Sequence, residues 1–424
     1  MKTLLTVTAL SAMTMLAAAY PGSARSTEFV YVESNIQSAN GNSIFAFRQN
    51  SDGTLSPLAG SPFLSGGAGV QYTGFVFGPF DSDQNLVVDQ RRRLLFAVNS
   101  GSDTIAVFNI NSDGSLKAIP GSPFASGGTN PVSLGLAGDL LFVVNKNGDF
   151  ARMTSLQPNY TAFRIESDGS LSPVDNSTIN VAFNSSPAQA LVAQNSHLFG
   201  ADFLGGLLES FTFDDDGHLV QQPPIALPAN PNLPLINFYG TPLQLANFPL
   251  GLWTHPRLPL LYVGFSIINQ LGVYSFDTAG RLEFLRSVPN SAIAICWVRV
   301  NRSGTRLYTG NNGISGNPAT DAFSTVSVYD LTVPDTPAEI QTLQIKGVGN
   351  VTQLGLSSDE KYLYVISQRN TPVIPAGQGN ALHTFTILPN GTLSEQVAPI
   401  VFQPPQVPAG SLPQGVAVYS PDQR

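Results

Sequence analysis

RLLFAVNSGSDTIAVFNINSDGSLKAIPGSP, residues 93–123, is the stretch on which the fold turns. It reads as a strand over 94–98, a short polar loop, a second strand over 104–110 and a tight Asp113-Gly114 turn. A third, shorter strand follows and ends at Gly121-Ser122-Pro123. β-Branched and aromatic residues alternate between Asn, Asp, Gly and Pro breaks, as half-buried antiparallel strands require, and Asp-Gly supplies the positive φ of a hairpin. One such unit leaves its edges uncovered, so it gains meaning only by repetition.

The unit does repeat. A first copy has strands at 29–33, 43–48 and 55–58 around Asp52-Gly53, and lacks a leading strand. The second adds 86–89 ahead of the opening stretch, and the third has 132–136, 140–144, 160–165 and Asp168-Gly169. The fourth has 188–193, 197–201, 207–213 and Asp216-Gly217, and the fifth 249–253, 260–264, 271–276 and Ala279-Gly280. In the sixth (292–298, 306–310, 325–329) the hairpin is replaced by LTVPDTPAE, and the seventh has 351–356, 362–366, 382–387 and Asn390-Gly391. Residues 414–419 then form one more leading strand with nothing after it. The spare strand at the C-terminus and the missing one at the N-terminus complete one blade between them. An all-β, seven-bladed β-propeller of four-stranded antiparallel blades follows, closed by its own ends. Helical periodicity is essentially absent.

The first residues, MKTLLTVTALSAMTMLAAAY, carry one Lys, an apolar run and small residues suited to cleavage after Ala19 or Ala24. This is the pattern of a secretory signal peptide, so 1–24 is expected to be removed and 25–424 to form one exported domain, extracellular or attached to a cell wall. No later stretch is long and apolar enough to span a bilayer. Charged residues are only 11% and the net charge is −8, which argues against nucleic acid as a partner. The one basic run, Arg91-Arg92-Arg93, falls in a turn. A single thiol, Cys296 within AIAICWV, excludes an internal disulfide and reads as a buried structural residue. Sequons at Asn159, Asn176, Asn184, Asn301, Asn350 and Asn390 are candidates for glycosylation in a secretory route.

In such blades the loop from second to third strand and the link to the next blade share one face. The Asp-Gly hairpins occupy the other. The hairpins are short and alike, whereas the loops of the first face are long and individual, at 145–159, 311–324 and 368–380 and in the links 60–84 and 221–244. Binding is expected on that face. The residue ending each second strand is expected to point to the channel: Ser34, Asn99, Asn145, Asp202, Phe265, Asn311 and Ser367. Such a ring suits a small polar ligand, a glycan or a calcium ion; the competing reading is that Asn and Asp end strands because they favour loop conformations. The apolar link PPIALPANPNLPLINFYG (223–240) reads either as a lid over the channel mouth or as a contact surface.

LLFAVNSGSDTIAVFNINSDGSL, SSDEKYLYVISQRN and QGVAVYSPD resemble the lactonase-type seven-bladed propellers, which include 6-phosphogluconolactonase-like proteins and fungal 3-carboxymuconate cyclases. The resemblance covers essentially the whole mature chain. It implies a His, Glu and Arg cluster on the loop-rich face that polarises a carboxylate or lactone and moves a proton. The Pro-Arg-His expected in the fifth blade here reads Pro249-Leu250-Gly251, and the Asn-Glu pair reads Phe265-Ser266. The Asn-Arg pair of the sixth is Asn311-Asn312, and the His before the fourth inner strand gives way to Ser186-Pro187-Ala188-Gln189; Gln368 does match. Acid, base and cation are lost together, and Gly, Ser and Asn cannot replace them. His197, His218, His255 and His383 offer surface or packing roles, with a shifted role open to His255 alone. No other catalytic motif stands out.

The expected function is therefore that of a monomeric, secreted binding or surface protein, adhesin- or antigen-like, without catalytic residues or a resident cofactor. The alternative is a lactonase or cycloisomerase with a rearranged site built from Asn145, Asp202, Asn311 and Gln368, with or without a divalent cation. Asn99 and Asn312 complete the candidate ligand-binding set.

Overall fold

The computed structural model describes residues 27–70, 82–146, 157–183, 185–194, 196–203, 205–228, 235–238, 241–244, 248–313, 323–369, 374–375 and 377–422. They form seven antiparallel blades and no helix. From the channel outward, blade 1 is Gln414–Tyr419, Phe29–Glu33, Ser43–Gln49 and Leu55–Pro57. Blade 2 is Leu86–Asp89, Leu94–Asn99, Thr104–Ile110 and Leu116–Ala118, and blades 3 and 4 begin with Pro131–Ala137 and Leu191–Ala193. Blades 5, 6 and 7 begin with Pro249–Thr254, Ile295–Val300 and Asn350–Leu356.

The ends meet as their complementary defects require. Phe29 pairs with Tyr419, Val30 with Val418, Tyr31 with Ala417 and Val32 with Val416; the register then shifts before Glu33 pairs with Gln414. Both faces of each second strand are covered by neighbouring blades, so Leu94–Asn99 and Leu260–Phe265 are buried along their whole length. Continuous apolar runs in these strands follow from that double burial.

The hairpin glycines explain why the turn face is uniform. At Gly53, Gly114, Gly217 and Gly391 the hairpin leans on the start of the second strand of the preceding blade, where a Cβ would collide. At Gly114 it would lie 2.2 Å from a Phe29 ring carbon, and at Gly217 2.8 Å from Leu140. Tyr31 adds a hydroxyl bond to Gly114 O at 2.8 Å. Blade 6 has no hairpin glycine; there Tyr262 of blade 5 donates to Pro334 O at 2.8 Å.

The outer strands fall into two classes. In blades 1 to 4 and 7 the edge is split into two short pieces, such as Leu55–Pro57 and Phe63–Leu64, both paired to the third strand. Ser61 and Ser122 of the Gly-Ser-Pro breaks fill the gap, accepting from the Ala46 and Val107 amides at 2.9 Å. Blades 5 and 6 instead carry the unbroken edges Leu282–Pro289 and Ala338–Gln344. The 221–244 link holds an unexpected antiparallel ribbon, Leu235–Phe238 with Thr241–Gln244.

Candidate functional site

The inner strands enclose an axial channel, and the chain fills it with its own residues. Ahead of the blade 2 inner strand, Ser82, Asp83, Gln84 and Asn85 turn inward at Gln84, whose φ of 60° is left-handed. Asp83 grips Arg299 of blade 6 with both carboxylate oxygens, Oδ1 accepting from Nη2 at 2.9 Å and Oδ2 from Nη1. Its amide donates to Ala188 O at 3.2 Å ahead of the blade 4 inner strand. The guanidinium lies 4.1 Å over the Trp253 ring of blade 5. Gln84 O accepts from Leu134 N of blade 3 at 3.0 Å, and Gln84 Oε1 accepts from Gln189 Nε2 at 2.8 Å. Gln189 in turn exchanges two bonds with Leu252 of blade 5.

Asn85 donates to Val132 O at 2.7 Å, and Gln353 of blade 7 donates to Asn85 Oδ1 at 2.6 Å and Ser82 O at 2.7 Å. Gln353 Oε1 accepts from Gly415 N in blade 1. All seven blades are thereby tied to one hub of polar groups. At this depth the channel holds protein rather than an open passage.

Above the hub, the expected ring residues bond largely to groups at their own strand ends. The Asn99, Asn145 and Asn311 amides donate to side chains of the facing third-strand residues, Thr104 Oγ1 at 3.1 Å, Asn159 Oδ1 at 3.0 Å and Thr325 Oγ1 at 3.0 Å. Ser34 bonds to Ser43 Oγ at 3.0 Å, and Ser367 to Gly379 O at 2.8 Å and His383 Nε2 at 3.0 Å. Phe265 is core. Loop-ending Asn and Ser thus spend much of their capacity on the strand ends themselves.

Several of these residues nevertheless keep an oxygen that accepts nothing: Asn145 Oδ1, Asp202 Oδ2, Asn312 Oδ1 and Gln368 Oε1. Glu33 Oε2 and Gln414 Oε1 share that condition, as do both side-chain atoms of Asn130. All are at most 7% exposed. Asp202 Oδ1 is held by the Ser186 and Gly205 amides at 2.7 and 3.0 Å. Burial pushes its carboxyl above the ordinary range, offset in part by those amides, the Ser185 hydroxyl and the Lys146 charge. Desolvation raises Glu33 well above its usual value, with the Asn42 amide opposing.

Charge is laid out unevenly between the faces. The ion pairs Arg92–Asp89, Arg164–Asp139, Arg281–Asp277, Arg306–Asp330 and Lys361–Asp359 all sit on the hairpin face. A cleft of about 360 Å³ lined by Thr27, Phe29, Arg48, Ser112, Pro421 and Asp422 also opens there, away from every candidate residue. Much of the loop-rich face, including 71–81, 147–156, 314–322 and 370–373, lies outside the described residues.

His255 lies on the turn face, where Nδ1 accepts from the Arg257 and Leu258 amides at 3.2 and 3.0 Å and Nε2 faces Gly304 O at 3.2 Å. His383 is buried between Ser367 and Glu395, with Nδ1 2.7 Å from Glu395 Oε1. His218 pairs with Asp214 on an exposed hairpin, and His197 packs beside Phe199. Among the described residues no three His, Cys, Asp or Glu side chains gather as a metal group. Of the sequons, Asn176 and Asn390 are exposed, Asn301 is half-buried, Asn159 and Asn350 are buried, and Asn184 lies outside the described residues.

The hub and Glu33 are what sequence reasoning missed. Asp83, Gln84 and Asn85 lie in an interblade link with no repeat partner, and the alignment selected Ser34 in place of its neighbour. A carboxylate ending the apolar strand FVYVE was the available signal for Glu33.

No family model and no curated protein matches the chain. Solved structures do. A Lactobacillus plantarum protein superposes with a TM-score of 0.66 at 16% identity, covering 93% of this chain and 99% of its own. The chain has the fold of lactonase-type propellers. A putative 6-phosphogluconolactonase from Bacteroides fragilis gives 0.64 at 16% identity, covering 94% and 99%. A periplasmic gluconolactonase from Pseudomonas aeruginosa gives 0.60 at 13%, covering 93% and 99%. At such identities the likeness is one of fold, and activity must be argued from the site.

Proposed function

We propose that this chain is an exported propeller that binds a neutral, hydroxyl-rich ligand, a glycan or surface polyol, on its loop-rich face and performs no chemistry on it. One observation carries the reading: Asn145, Asp202, Asn312 and Gln368 each keep a buried oxygen that accepts no hydrogen bond. Unsatisfied buried acceptors cost about 1–3 kcal/mol each, and hydroxyl donors from a ligand would recover that cost. Among the described residues the ion pairs named above gather on the opposite face, which agrees with a neutral partner. The absence of the Pro-Arg-His and Asn-Glu sequences argues against acid-base work. An adhesin-like surface role, with glycans at exposed Asn176 and Asn390, agrees with the leader sequence.

A screen of purified protein on glycan and polyol arrays tests this. Saturable binding to the wild type, weakened by Asn145→Ala or Gln368→Ala, is expected; binding unchanged in both variants would move the site elsewhere.

A second reading, lactone hydrolysis, draws on Asp202. Its buried carboxyl is raised by desolvation, with the Lys146 charge opposing the rise, and perturbed buried carboxyls of this kind are candidates for acid-base work. A lactone panel decides between the two: turnover above background that Asp202→Ala abolishes would establish the enzyme, and no turnover supports the binding protein.

A further inference from the structure

The seam that closes the ring gathers oxygens of its own. Glu33 ends the second strand of blade 1, and Gln414, first residue of the C-terminal strand, faces it across the ladder. Gln368 reaches the same place from blade 7, donating through Nε2 to Pro413 O at 2.6 Å and Leu412 O at 3.4 Å. These three side chains are no more than 1% exposed. Each leaves one oxygen without a donor: Glu33 Oε2, Gln368 Oε1 and Gln414 Oε1.

The imbalance is entirely of acceptors. Glu33 Oε1 takes one bond, from Asn42 Nδ2 at 2.6 Å, and no basic side chain is among the groups acting on this carboxyl. A buried carboxylate is normally paired with a cation, and a buried amide oxygen with a donor. A single positive ion would meet all three deficits at once, whereas a water has two protons to offer. The Pro413 carbonyl, which takes one bond from Gln368, retains a lone pair for the same ion, whereas Leu412 O already accepts from both Asn35 and Gln368.

We propose that Glu33, Gln368 and Gln414 hold a hard divalent cation, calcium, where blade 7 meets the two ends of the chain. Calcium accepts mixed carboxylate, amide and backbone oxygens in irregular geometry. Magnesium demands a small octahedron and keeps its waters, and zinc prefers nitrogen and sulfur. The ion would join the N-terminal strand, the C-terminal strand and blade 7, so ring closure becomes calcium-dependent. The site shares one oxygen, Gln368 Oε1, with the ligand-binding reading; titration with calcium alone and the Glu33→Gln variant, which leaves Asn145, Asp202 and Asn312 untouched, tell the two apart.

The test is calorimetric titration of the full chain, stripped with EGTA, with calcium chloride alone, alongside thermal melts and a magnesium control. One ion per chain is expected, with a midpoint that climbs with the logarithm of calcium concentration. Glu33→Gln keeps the shape and removes the charge, and should weaken binding by about tenfold or more; Gln368→Met, away from the N-terminal strand, should weaken it as well. The rival is a Glu33 that simply stays protonated. In that case calcium changes neither heat nor midpoint in the wild type, and Glu33→Gln matches the wild type in stability. Either that result or equal affinity in all three proteins would overturn the proposal.

Discussion

Asp83 and Arg299 stand 216 positions apart in the chain and meet inside the channel in a two-point ion pair, Oδ1 to Nη2 at 2.9 Å, with both side chains buried. Blade 6 is thus joined to the segment that opens blade 2, across the width of the ring. Removing one partner strands the other charge away from water, so Arg299→Ala should lower unfolding free energy by roughly 3–5 kcal/mol. The double change Asp83→Leu with Arg299→Met should cost much less than the sum of the single ones. Urea denaturation of the four proteins checks both; a loss below about 1 kcal/mol for the single change would remove the pair from the hub.

The hairpin glycines predict a contrast between two positions of equal backbone conformation. Gly114 has φ of 84° and a Cβ there would strike Phe29, whereas Gly347 has φ of 85° and open space around it. Gly347→Ala should cost only the left-handed backbone penalty, about 1–2 kcal/mol. Gly114→Ala adds overpacking and should cost about 2–5 kcal/mol. Equal losses in denaturation would mean that the hairpin does not bear on the neighbouring blade.

What the sequence made legible follows from what repeats. Asp113-Gly114 and its relatives recur because each hairpin must lie against a similar strand, so blade number and ring closure could be counted from them. The hub was not legible, because Ser82 to Asn85 occur once and their partners are supplied by single residues of other blades. The candidate ring was legible only as a set of strand ends: alignment could not tell that the Asn99, Asn145 and Asn311 amides bond to the third strand, nor that Phe265 turns into the core. The unbroken outer strands of blades 5 and 6 were hidden because Pro289 and LTVPDTPAE resemble breaks.

Glu209 predicts how stability responds to pH. It is 2% exposed in the third strand of blade 4, where desolvation raises its carboxyl to about 7, the Gln221 amide at 2.9 Å opposes the rise, and Asp202 adds to it. The folded chain therefore holds a proton that the unfolded chain releases near pH 4.5. Stability from this group is complete below that value and is lost as pH climbs through about 7, by up to roughly 3 kcal/mol. Glu209→Gln should flatten this decline between pH 5 and pH 8 in urea midpoints, leaving the variant the more stable protein at pH 8. An unchanged pH profile would mean that Glu209 is ionised throughout.

Everything inferred about the two faces depends on one sheet shared by both ends of the chain, and the most direct measurement splits that sheet deliberately. A chain ending at Ser411, lacking the strand Gln414–Tyr419, is purified and mixed with a synthetic peptide of residues 412–422. The shortened chain alone should show no cooperative thermal transition, and the peptide should restore β-sheet circular dichroism and a cooperative melt in proportion to its concentration. A shortened chain that melts like the full-length protein, with the peptide ignored, would contradict closure of the ring by its ends.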